Sequence, residues 1–391
     1  MLSADYYPNI GGIASHIFNL SKNLMEKGVY VTILHPLPSN KLQFETIEDR
    51  GLSVYKLYYP SSNNKIKRIY NRTKAIIHGL KEIEAKIGGI DILHQHDHMI
   101  STIPASLFGG KKVWIWTNHT SDFMVHADNF YKRKLMSILY HKLDGIISVS
   151  RDKTTKIKRV FGNKTMEIIP NGVNLDIFYP NPNDDRKKFK LNKDDYVILC
   201  PSRMVKVKGI SYLADSINTM IKLIPDKKFK FIFLGSDPAP NTDVDYINEI
   251  KEKLHNAFLQ GYVRYYGNVR MEEMNALYNV ADCVVMPSVM EGFSLTWVET
   301  LACQKPLIAT TVGGYEEVLK HRETAYLIPP QNTDAITSAI IDLMNNQELA
   351  NHISKCGYEK VKELYSWKVI SEKTYSFYVK LLKEKKQSLI S

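Results

Sequence analysis

The feature that most limits the folds open to this chain is the alternation of short apolar runs with longer stretches of helical spacing. The runs are rich in Val, Ile and Tyr. This pattern is typical of βαβ units and a parallel sheet. The predicted strands form two series: Val29–His35, Ser53–Tyr58, Ile90–His94, Val113–Asn118, Gly145–Ser150 and Glu167–Ile169, then Tyr196–Pro201, Phe229–Gly235, Val263–Gly267, Cys283–Pro287, Pro306–Thr310 and Ala325–Ile328. We therefore predict an α/β fold of two Rossmann-like halves that face a central cleft.

Two domains are also expected from the length of the chain. Its 391 residues exceed what one hydrophobic core usually organises. The polar segment 171–195, with Pro180, Pro182 and the charge run DDRKKFK, separates the two series and is interpreted as a linker. We predict a first domain over 1–172 and a second over 173–369, with a final helix at about 370–391 that returns to the first domain.

The start of the first series is unusual. A strand should precede the loop DYYPNIGG, and only Met1–Ala4 can supply it. Two explanations are open: the strand is very short, or the sequence begins several residues inside the natural reading frame.

Positive charge is concentrated in the first half of the chain. Residues 1–175 hold 24 Lys and Arg against 14 Asp and Glu, whereas the rest hold 28 against 27. Such asymmetry suits a nucleic-acid partner or an anionic lipid surface. Tyr131–Leu143 and Lys65–Lys86 mix cations with apolar residues at helical spacing. We predict that they dock the first domain on an anionic membrane, and the alternative is that they are surface helices packed on the core.

Cysteine spacing and hydropathy indicate the compartment. The four cysteines are far apart and form no CxxC pair, which favours reduced thiols. No apolar run reaches the length of about 20 residues that spans a bilayer, and the N-terminus does not resemble a signal peptide. We expect a cytoplasmic protein that docks peripherally on the inner face of the cell membrane.

Two glycines and two cations lie where such sheets bind ligands. Gly11 and Gly12 fall in the first βα turn, where a helix N-terminus can bind an anion. Arg203 and Lys208 follow the strand Tyr196–Pro201 at its carboxyl end and suit a diphosphate, Arg through a bidentate fork and Lys as a point charge. The alternatives are a turn with an N-cap glycine and a solvated basic loop.

A third motif, EGFSLTWVETLA, follows the apolar strand Cys283–Pro287. It places Glu291 in a loop at the sheet edge and Glu299 about one turn into a helix that begins near Leu295. Carboxylates there can accept hydrogen bonds from vicinal sugar hydroxyls, and the N–H groups of residues 293–295 can bind phosphate or sugar oxygens. The alternative is a surface helix with two glutamates.

Jointly these motifs resemble the retaining glycosyltransferases of the GT-B fold, in particular family 4, which includes sucrose synthases, phosphatidylinositol mannosyltransferases and many bacterial polysaccharide enzymes. The E-x7-E spacing of the family is met by Glu291 and Glu299. The resemblance covers nearly the whole chain through GGIASH (11–16), HQHD (94–97), TNHTSDF (117–123), SVS (148–150), IPNGVNLDIF (169–178), SRMVKVKG (202–209), YYGNV (265–269) and CQKPLIATTVGGYEEV (303–318).

The resemblance implies roles for individual residues. Arg203 and Lys208 would hold the donor diphosphate, and Glu299 the ribose. Glu291, with the backbone of residues 293–295, would hold the donor sugar and phosphate. His119, at the end of the run Val113–Trp116, would contact the sugar near the reacting carbon. The remaining assignments are Gly11, Gly12, Val269, Phe293, Ser294 and Leu295 on the donor side, and His16 and His96 on the acceptor side.

The resemblance also implies the chemistry. A hexosyl group would pass from a UDP- or GDP-linked sugar to a lipid-linked or saccharide acceptor in the synthesis of cell-surface glycans or glycolipids. Retaining members are thought to use the leaving phosphate as the base, so that no enzymic nucleophile is needed, and no cofactor or metal is expected. Asp243-Val244-Asp245 spells the DxD of metal-dependent transferases, but we interpret it as a loop with a helix N-cap.

Three alternatives remain open at this stage. His94, His96 and His98 alternate and could in principle bind zinc, although no fourth ligand of suitable spacing stands out. A nucleotide-sugar epimerase could share the fold and the diphosphate site, but it would need groups that remove a ring proton. A non-catalytic nucleic-acid- or membrane-binding protein would use the basic half, yet no recognised nucleic-acid module is present. We expect no nucleic-acid partner.

Overall fold

Two compact units make up the chain. The computed structural model describes residues 1–7, 12–97, 101–110, 112–119, 122–182, 185–237 and 243–390. Unit 1 comprises Met1–Asn171 and Trp367–Ser391, and unit 2 comprises Gly172–Ser366. Each unit is an α/β structure with a parallel sheet, which confirms the predicted fold class.

Unit 1 contains each strand that the sequence pattern predicts for it, with bounds that differ by a few residues. The elements before the crossing into unit 2 are α1 Gly12–Met25, β1 Thr32–Ser39, β2 Gln43–Asp49, β3 Leu52–Pro60, α2 Lys65–Ile87, β4 Ile92–Gln95, α3 Thr102–Phe108, β5 Val113–Asn118, α4 Asp122–Asp128, α5 Phe130–Leu139, β6 Gly145–Ser148, α6 Thr154–Phe161 and β7 Thr165–Ile168.

Leu2 joins the two parts of the sheet in unit 1. Strands β4-β5-β6-β7 are parallel neighbours, and β1 pairs in parallel with β3, which pairs antiparallel with β2. Leu2 forms parallel bridges to Leu34 in β1 and to Gln95 in β4. The first strand of the fold is therefore a short segment centred on Leu2.

Unit 2 contains a six-stranded parallel sheet. Its elements are β8 Tyr196–Cys200, α7 Ile210–Leu223, β9 Phe229–Leu234, α8 Val244–Lys253, α9 His255–Leu259, β10 Val263–Tyr266, α10 Met271–Val280, β11 Cys283–Met286, α11 Leu295–Ala302, β12 Leu307–Thr310, α12 Tyr315–Val318, β13 Tyr326–Ile328, α13 Thr333–Asn345 and α14 Gln347–Leu364, after which α15 Trp367–Ile390 returns to unit 1. The strand order is β10-β9-β8-β11-β12-β13, so the chain reverses direction across the sheet between β8 and β11.

Several elements differ from the predictions. Strand β1 begins at Thr32 rather than Val29, because the apolar run starts in the turn that follows α1. The antiparallel strand β2 was not predicted. Helices α8 and α9 follow one another, and α8 ends at Lys253 with Leu254 as its C-cap residue.

The segment interpreted as a linker makes hydrogen bonds to the rest of unit 2. The Arg186 guanidinium donates to both carboxylate oxygens of Asp282, each at 2.8 Å. The Tyr179 backbone N–H donates to the side-chain oxygen of Asn275 in α10 at 3.1 Å. These bonds fix the segment to the amino end of β11 and to α10.

Among the residues that the structure describes, no helix is both long and apolar enough to cross a membrane.

Candidate active site

The predicted donor residues of unit 2 gather where the strand order reverses. Strands β8 and β11 are direct neighbours, and their carboxyl ends lead into the loops that carry Arg203, Lys208 and Glu291. In open α/β sheets this reversal point opens a crevice that binds ligands. The structure therefore places the three residues of two distant motifs at one edge of the sheet.

Lys208 and Glu291 form an ion pair across the two loops. The Lys208 ammonium donates to Oε1 of Glu291, and the side chains are 19% and 9% exposed. The same carboxylate oxygen accepts a hydrogen bond from the Ser288 hydroxyl at 2.8 Å. Glu291 is thereby held beside the cation that is predicted to bind the diphosphate, and Ser288 is a partner that the sequence did not indicate.

Two glycines allow the loops to approach this closely. Gly209 has a φ of +65°, and a Cβ there would lie 2.0 Å from the Pro287 carbonyl oxygen. Gly313 has a φ of +63°, and a Cβ there would lie 2.5 Å from the Glu291 carbonyl oxygen. Only glycine fits both the conformation and the contact. These two glycines therefore allow the loop that carries Lys208 and the loop after β12 to lie against the segment that carries Glu291.

Arg203 differs from Lys208 in its surroundings. It follows β8 directly and its side chain is exposed. Among the described residues its guanidinium has no ion-pair partner. A free, exposed guanidinium at the carboxyl edge of the sheet is suited to bind an anionic ligand.

The N-terminus of α11 supplies further donors. Ser294 is its N-cap residue, with φ −84° and ψ 122°, and its side chain makes no capping hydrogen bond. The first N–H groups of the helix are therefore not satisfied by the N-cap side chain and remain suited to an anion. Phe293 and Ser294 are buried and Leu295 is partly buried, so the donors belong to a firmly packed segment.

Glu299 lies one turn further along α11, as predicted. It is partly buried, and its Oε2 accepts a hydrogen bond from the Tyr278 hydroxyl at 2.8 Å. Burial raises the pKa of Glu299 to about 7, although the hydrogen bond from Tyr278 opposes the shift. Tyr278, in α10, could not be connected with Glu299 from the sequence because the two residues are 21 positions apart.

The other predicted donor residues are less informative. Val269 lies between β10 and α10 and is partly buried. Gly12 begins α1. Gly11 lies outside the described residues.

Three histidines come together in unit 1. His96 follows β4, His119 follows β5, and His16 lies on α1. Nδ1 of His96 is 3.1 Å from Nε2 of His119, and the ring of His16 meets that of His119 edge-on with 4.5 Å between centroids. The sequence predicted His119 at the carboxyl end of its strand, but it did not predict that His16 and His96 would surround it.

Hydrogen bonds and burial define the state of this histidine cluster. Nδ1 of His16 is 2.8 Å from the side-chain oxygen of Asn171, which fixes the orientation of the ring. Nε2 of His16 and Nε2 of His96 are buried without a partner among the described residues. Burial lowers the pKa of His16 to about 4 and holds those of His96 and His119 well below their usual range.

The cluster is also the group that could hold a metal ion. One ligand atom from each of His16, His96 and His119 lies within 4.8 Å of the others. Alternation in the sequence offered a different set, His94 with His96 and His98, as a possible zinc site. His94 bonds Tyr378 and Thr117 through its two ring nitrogens, at 2.5 and 2.6 Å, and His98 lies outside the described residues.

The DxD sequence has the structural role that was predicted. The Asp243 side chain accepts a hydrogen bond from the Tyr246 backbone N–H at 3.1 Å and caps α8. Its carboxylate also lies 3.4 Å from the Lys206 ammonium.

Two family models match consecutive parts of the chain. The model described as Glycosyltransferase Family 4 matches residues 10–177, and the model described as Glycosyl transferases group 1 matches residues 181–360. The chain belongs to the family 4 glycosyltransferases. This membership confirms the resemblance drawn from the motifs and the assignment as a transferase enzyme.

Relatives of this glycosyltransferase span its full length. It is 25% identical to the phosphatidylinositol N-acetylglucosaminyltransferase gpi3 subunit of Schizosaccharomyces pombe, over 100% of this chain and 82% of that protein. It is 23% identical to the N-acetyl-alpha-D-glucosaminyl L-malate synthase of Bacillus anthracis, over 98% of each chain.

Solved structures share the fold. Sucrose-phosphate synthase from Thermosynechococcus elongatus superposes with a TM-score of 0.81 at 21% identity, over 98% of each chain. Anabaena HepE in complex with UDP and glucose superposes with a TM-score of 0.78 at 15% identity, over 97% of this chain and 99% of that one.

Proposed function

We propose that this glycosyltransferase moves a hexosyl group from a UDP- or GDP-linked sugar to a lipid-linked or saccharide acceptor, with retention of anomeric configuration and without a metal or cofactor. The observation that best supports the donor part of this proposal is the ion pair of Lys208 with Glu291, at the point in unit 2 where the strand order reverses. A cationic loop, a carboxylate and a helix N-terminus meet there, which is the set of groups that a sugar diphosphate requires.

The proposed mechanism is electrostatic. Cleavage of the sugar–phosphate bond places negative charge on the departing diphosphate. In this proposal Arg203, Lys208 and the first N–H groups of α11 stabilise that charge. Glu291 is engaged by Lys208 and Ser288, and we assign it to binding and orientation of the donor rather than to nucleophilic attack.

The resemblance assigns roles to three histidines of unit 1. We propose that His119 contacts the transferred sugar and that His16 and His96 lie on the acceptor side. Their lowered pKa values favour neutral imidazoles, which can both donate and accept hydrogen bonds with hydroxyls.

The names of the relatives suggest which donor to test first. Two of them carry N-acetylglucosaminyl in their names but differ in acceptor, phosphatidylinositol in one and malate in the other. HepE was solved with UDP and glucose. We therefore propose UDP-N-acetylglucosamine as the first donor in a panel of UDP- and GDP-sugars.

A pair of lysine variants tests the donor site. K208A removes the cation that pairs with Glu291, and K206A removes an exposed lysine two positions earlier in the same loop. We expect K208A to lower kcat/KM by roughly 100-fold or more, the usual loss when one transition-state charge partner is removed, and K206A to retain nearly full activity. Release of nucleoside diphosphate, measured with and without acceptor, reports the transfer.

The same assay identifies outcomes against the proposal. Equal activity of K208A and K206A would remove Lys208 from the donor site. Conversion of the donor to an epimer in the absence of acceptor would favour the epimerase. An anomeric product inverted relative to the donor, seen by NMR, would overturn retention.

We further propose that unit 1 docks on anionic membrane through α5. Phe130, Tyr131, Leu135 and Ile138 are 59%, 82%, 47% and 59% exposed, although they are apolar. Lys132, Arg133 and Lys134 lie on the same helix. Apolar side chains for the acyl boundary and cations for the headgroups are the features of an interfacial helix.

Vesicle pull-down tests this docking. A double variant, L135S/I138S, should bind vesicles of anionic lipid several-fold more weakly than the parent at low salt. A control variant, L223S, replaces a leucine of unit 2 that is 61% exposed and should bind normally. Docking is excluded if the parent itself does not bind anionic vesicles, or if both variants bind as the parent does.

Chelation tests metal independence. The ligand atoms of the histidine cluster could be bridged by zinc, whereas the proposed mechanism uses only the cations and N–H groups of unit 2 for the leaving group. We expect full activity after EDTA treatment and dialysis. A loss of activity that zinc restores would contradict this proposal.

A further inference from the structure

The histidine cluster of unit 1, formed by His16, His96 and His119, contains ring nitrogens without partners. The three side chains come from α1 and from the carboxyl ends of β4 and β5. His16 and His96 are only 3% and 1% exposed, and Nε2 of each is buried without a hydrogen-bond partner among the described residues. Because buried polar atoms normally have partners, a bound ligand would satisfy nitrogens that the protein leaves unpaired.

The spacing of the ring nitrogens suits a metal ion. Nδ1 of His96 lies 3.1 Å from Nε2 of His119, and the three residues each offer one ligand atom within 4.8 Å of the others. Zinc binds imidazole nitrogens at about 2.0–2.1 Å in tetrahedral geometry, which places two ligating nitrogens about 3.3 Å apart. The closest pair therefore already has nearly the separation of two zinc ligands. Three histidines with a water in the fourth position form a complete zinc site.

Asn171 orients the third ring of the cluster. Nδ1 of His16 is 2.8 Å from the side-chain oxygen of Asn171, and this oxygen accepts a hydrogen bond when the ring proton is on Nδ1. Nε2 then has the lone pair that a metal requires. Metal-bound histidines usually donate their other ring N–H to an oxygen acceptor in this way, and such partners strengthen the binding of the metal.

Protonation and charge determine how a cation would bind here. Burial lowers the pKa of His16 to about 4, and it is the largest cause of the lowered pKa values of His96 and His119. The rings are therefore neutral near pH 7 and release no proton when a metal binds. The charge of Lys153 also lowers the pKa of His119, and the same charge opposes a cation. We therefore expect a metal to bind reversibly rather than permanently.

We propose that the histidine cluster is a zinc-binding site, and that bound zinc reversibly inhibits this glycosyltransferase. Zinc takes the lone pairs that the proposed function assigns to hydrogen bonds with the sugar and the acceptor, so that transfer stops while the metal is bound. The inhibition rests on the proposed function of these histidines, whereas the binding of zinc does not. Catalysis itself uses no metal, in agreement with the full activity expected after chelation.

Calorimetric titration of the full chain with zinc, after EDTA treatment and dialysis, tests the site directly. We expect one zinc ion per chain in the parent and no detectable binding by H96A or H119A at the same concentrations. N171A retains all three ligands and should bind zinc about tenfold more weakly or less. The thermal midpoint of each variant without zinc shows that it is folded, and zinc should raise the midpoint of the parent but not that of H96A.

A matched control addresses zinc bound elsewhere on the chain. Both ring nitrogens of His352 lie 3.9 Å from the Cys356 thiol on α14 in unit 2, so this pair is another set of groups that zinc could contact. H352A should bind zinc as the parent does. Zinc binding that persists in both H96A and H119A, or that is lost in H352A, would overturn the proposed site.

Release of nucleoside diphosphate, measured with and without zinc, tests the inhibition. Zinc should inhibit the parent and H352A equally, excess EDTA should restore their activity, and N171A should require about tenfold more zinc for the same fractional inhibition. Zinc that binds at the cluster without slowing transfer would overturn the inhibitory role. Absence of transfer with every donor tested would overturn the proposed function and the inhibition with it, whereas the titration decides the zinc site by itself.

Discussion

Glu299 shows how the environment of one side chain can set the conditions under which the donor binds. Its burial raises its pKa to about 7 from a usual 4.5, and the Tyr278 hydroxyl donates to it. A neutral carboxyl group accepts hydrogen bonds poorly, whereas a carboxylate can accept from two vicinal hydroxyls at once. The proposed ribose contact therefore depends on ionisation close to neutral pH.

We predict that the KM for the nucleotide sugar falls as the pH rises from about 6 to about 8, because Glu299 loses its proton in that interval. E299Q should have a weaker but pH-independent contact, so its KM should stay nearly flat. Initial rates measured across this pH range in both proteins test the prediction. It fails if the two KM profiles run in parallel.

The same pKa shift also affects the stability of the fold. A rise in pH, which is expected to strengthen donor binding, lowers this stability. The folded state holds the proton of Glu299 more tightly than the unfolded chain does, so the free energy of unfolding declines as the pH rises from 4.5 to about 7. E299Q lacks this dependence. Denaturant titrations of the parent and E299Q at the two ends of this interval would separate the stability effect from the binding effect.

The histidine cluster shows what a sequence can predict about single residues. The sequence predicted His119 at the edge of the sheet because the residue ends a buried apolar run. The structure agrees, since β5 has the predicted bounds. The contact of His16 with Asn171 joins residues 155 positions apart, and no local pattern encodes it. Side-chain partners across the fold follow from packing, which the sequence does not display.

At the scale of elements, the loops around the donor site depend on close backbone contacts. The positive φ of Gly209 would strain any other residue, and a Cβ would also meet the Pro287 carbonyl at 2.0 Å. Gly88, the C-cap of α2, has a φ of +81° but nothing within 4 Å of its Cβ position. A comparison of substitutions at Gly209 and Gly88 therefore distinguishes the free-energy cost of the backbone conformation from that of the steric contact.

We predict that G209A lowers the free energy of unfolding by at least about 2 kcal/mol and raises the KM for the donor. G88A should cost only about 1 kcal/mol, which is the penalty of a left-handed backbone with a Cβ, and should leave the KM unchanged. Chemical denaturation and donor kinetics measure both effects. Equal losses in the two variants would mean that the contact with Pro287 is unimportant.

Periodicity predicted most elements but not those that lack a strong pattern. Strand β2 contains only two large apolar residues, Phe44 and Ile47, among polar ones. It lies at the edge of its sheet, where one side of the strand is not paired. Such a strand has little apolar signal.

At the scale of the whole molecule, the two units differ in charge more than the two halves of the sequence do. Unit 1 holds 30 of the 52 Lys and Arg and 16 of the 41 Asp and Glu, so its net charge is +14 and that of unit 2 is −3. The return of α15 adds cations to unit 1. The difference in net charge between the units is therefore larger than the difference between the sequence halves. The positive charge of unit 1 favours interaction with an anionic surface.

Four of the proposed donor residues belong to one unit, which leads to a final prediction. Arg203, Lys208, Glu291 and Glu299 all lie in Gly172–Ser366, and that unit has its own sheet and a buried core that includes Phe231, Val285 and Ile340. A unit with its own core can fold alone. We predict that the fragment 172–366 folds cooperatively and binds a nucleoside diphosphate within about tenfold of the affinity of the full chain, a difference of about 1.4 kcal/mol.

Calorimetric titration of the fragment with UDP and GDP tests this prediction, and K208A in the same fragment is the control. Because a ligand that binds only the folded state stabilises it, the preferred nucleotide should also raise the thermal midpoint of the fragment. A folded fragment that binds neither nucleotide, beside a full chain that binds one, would show that unit 1 contributes most of the donor affinity. Binding that K208A does not weaken would instead place the diphosphate away from the reversal point of the sheet.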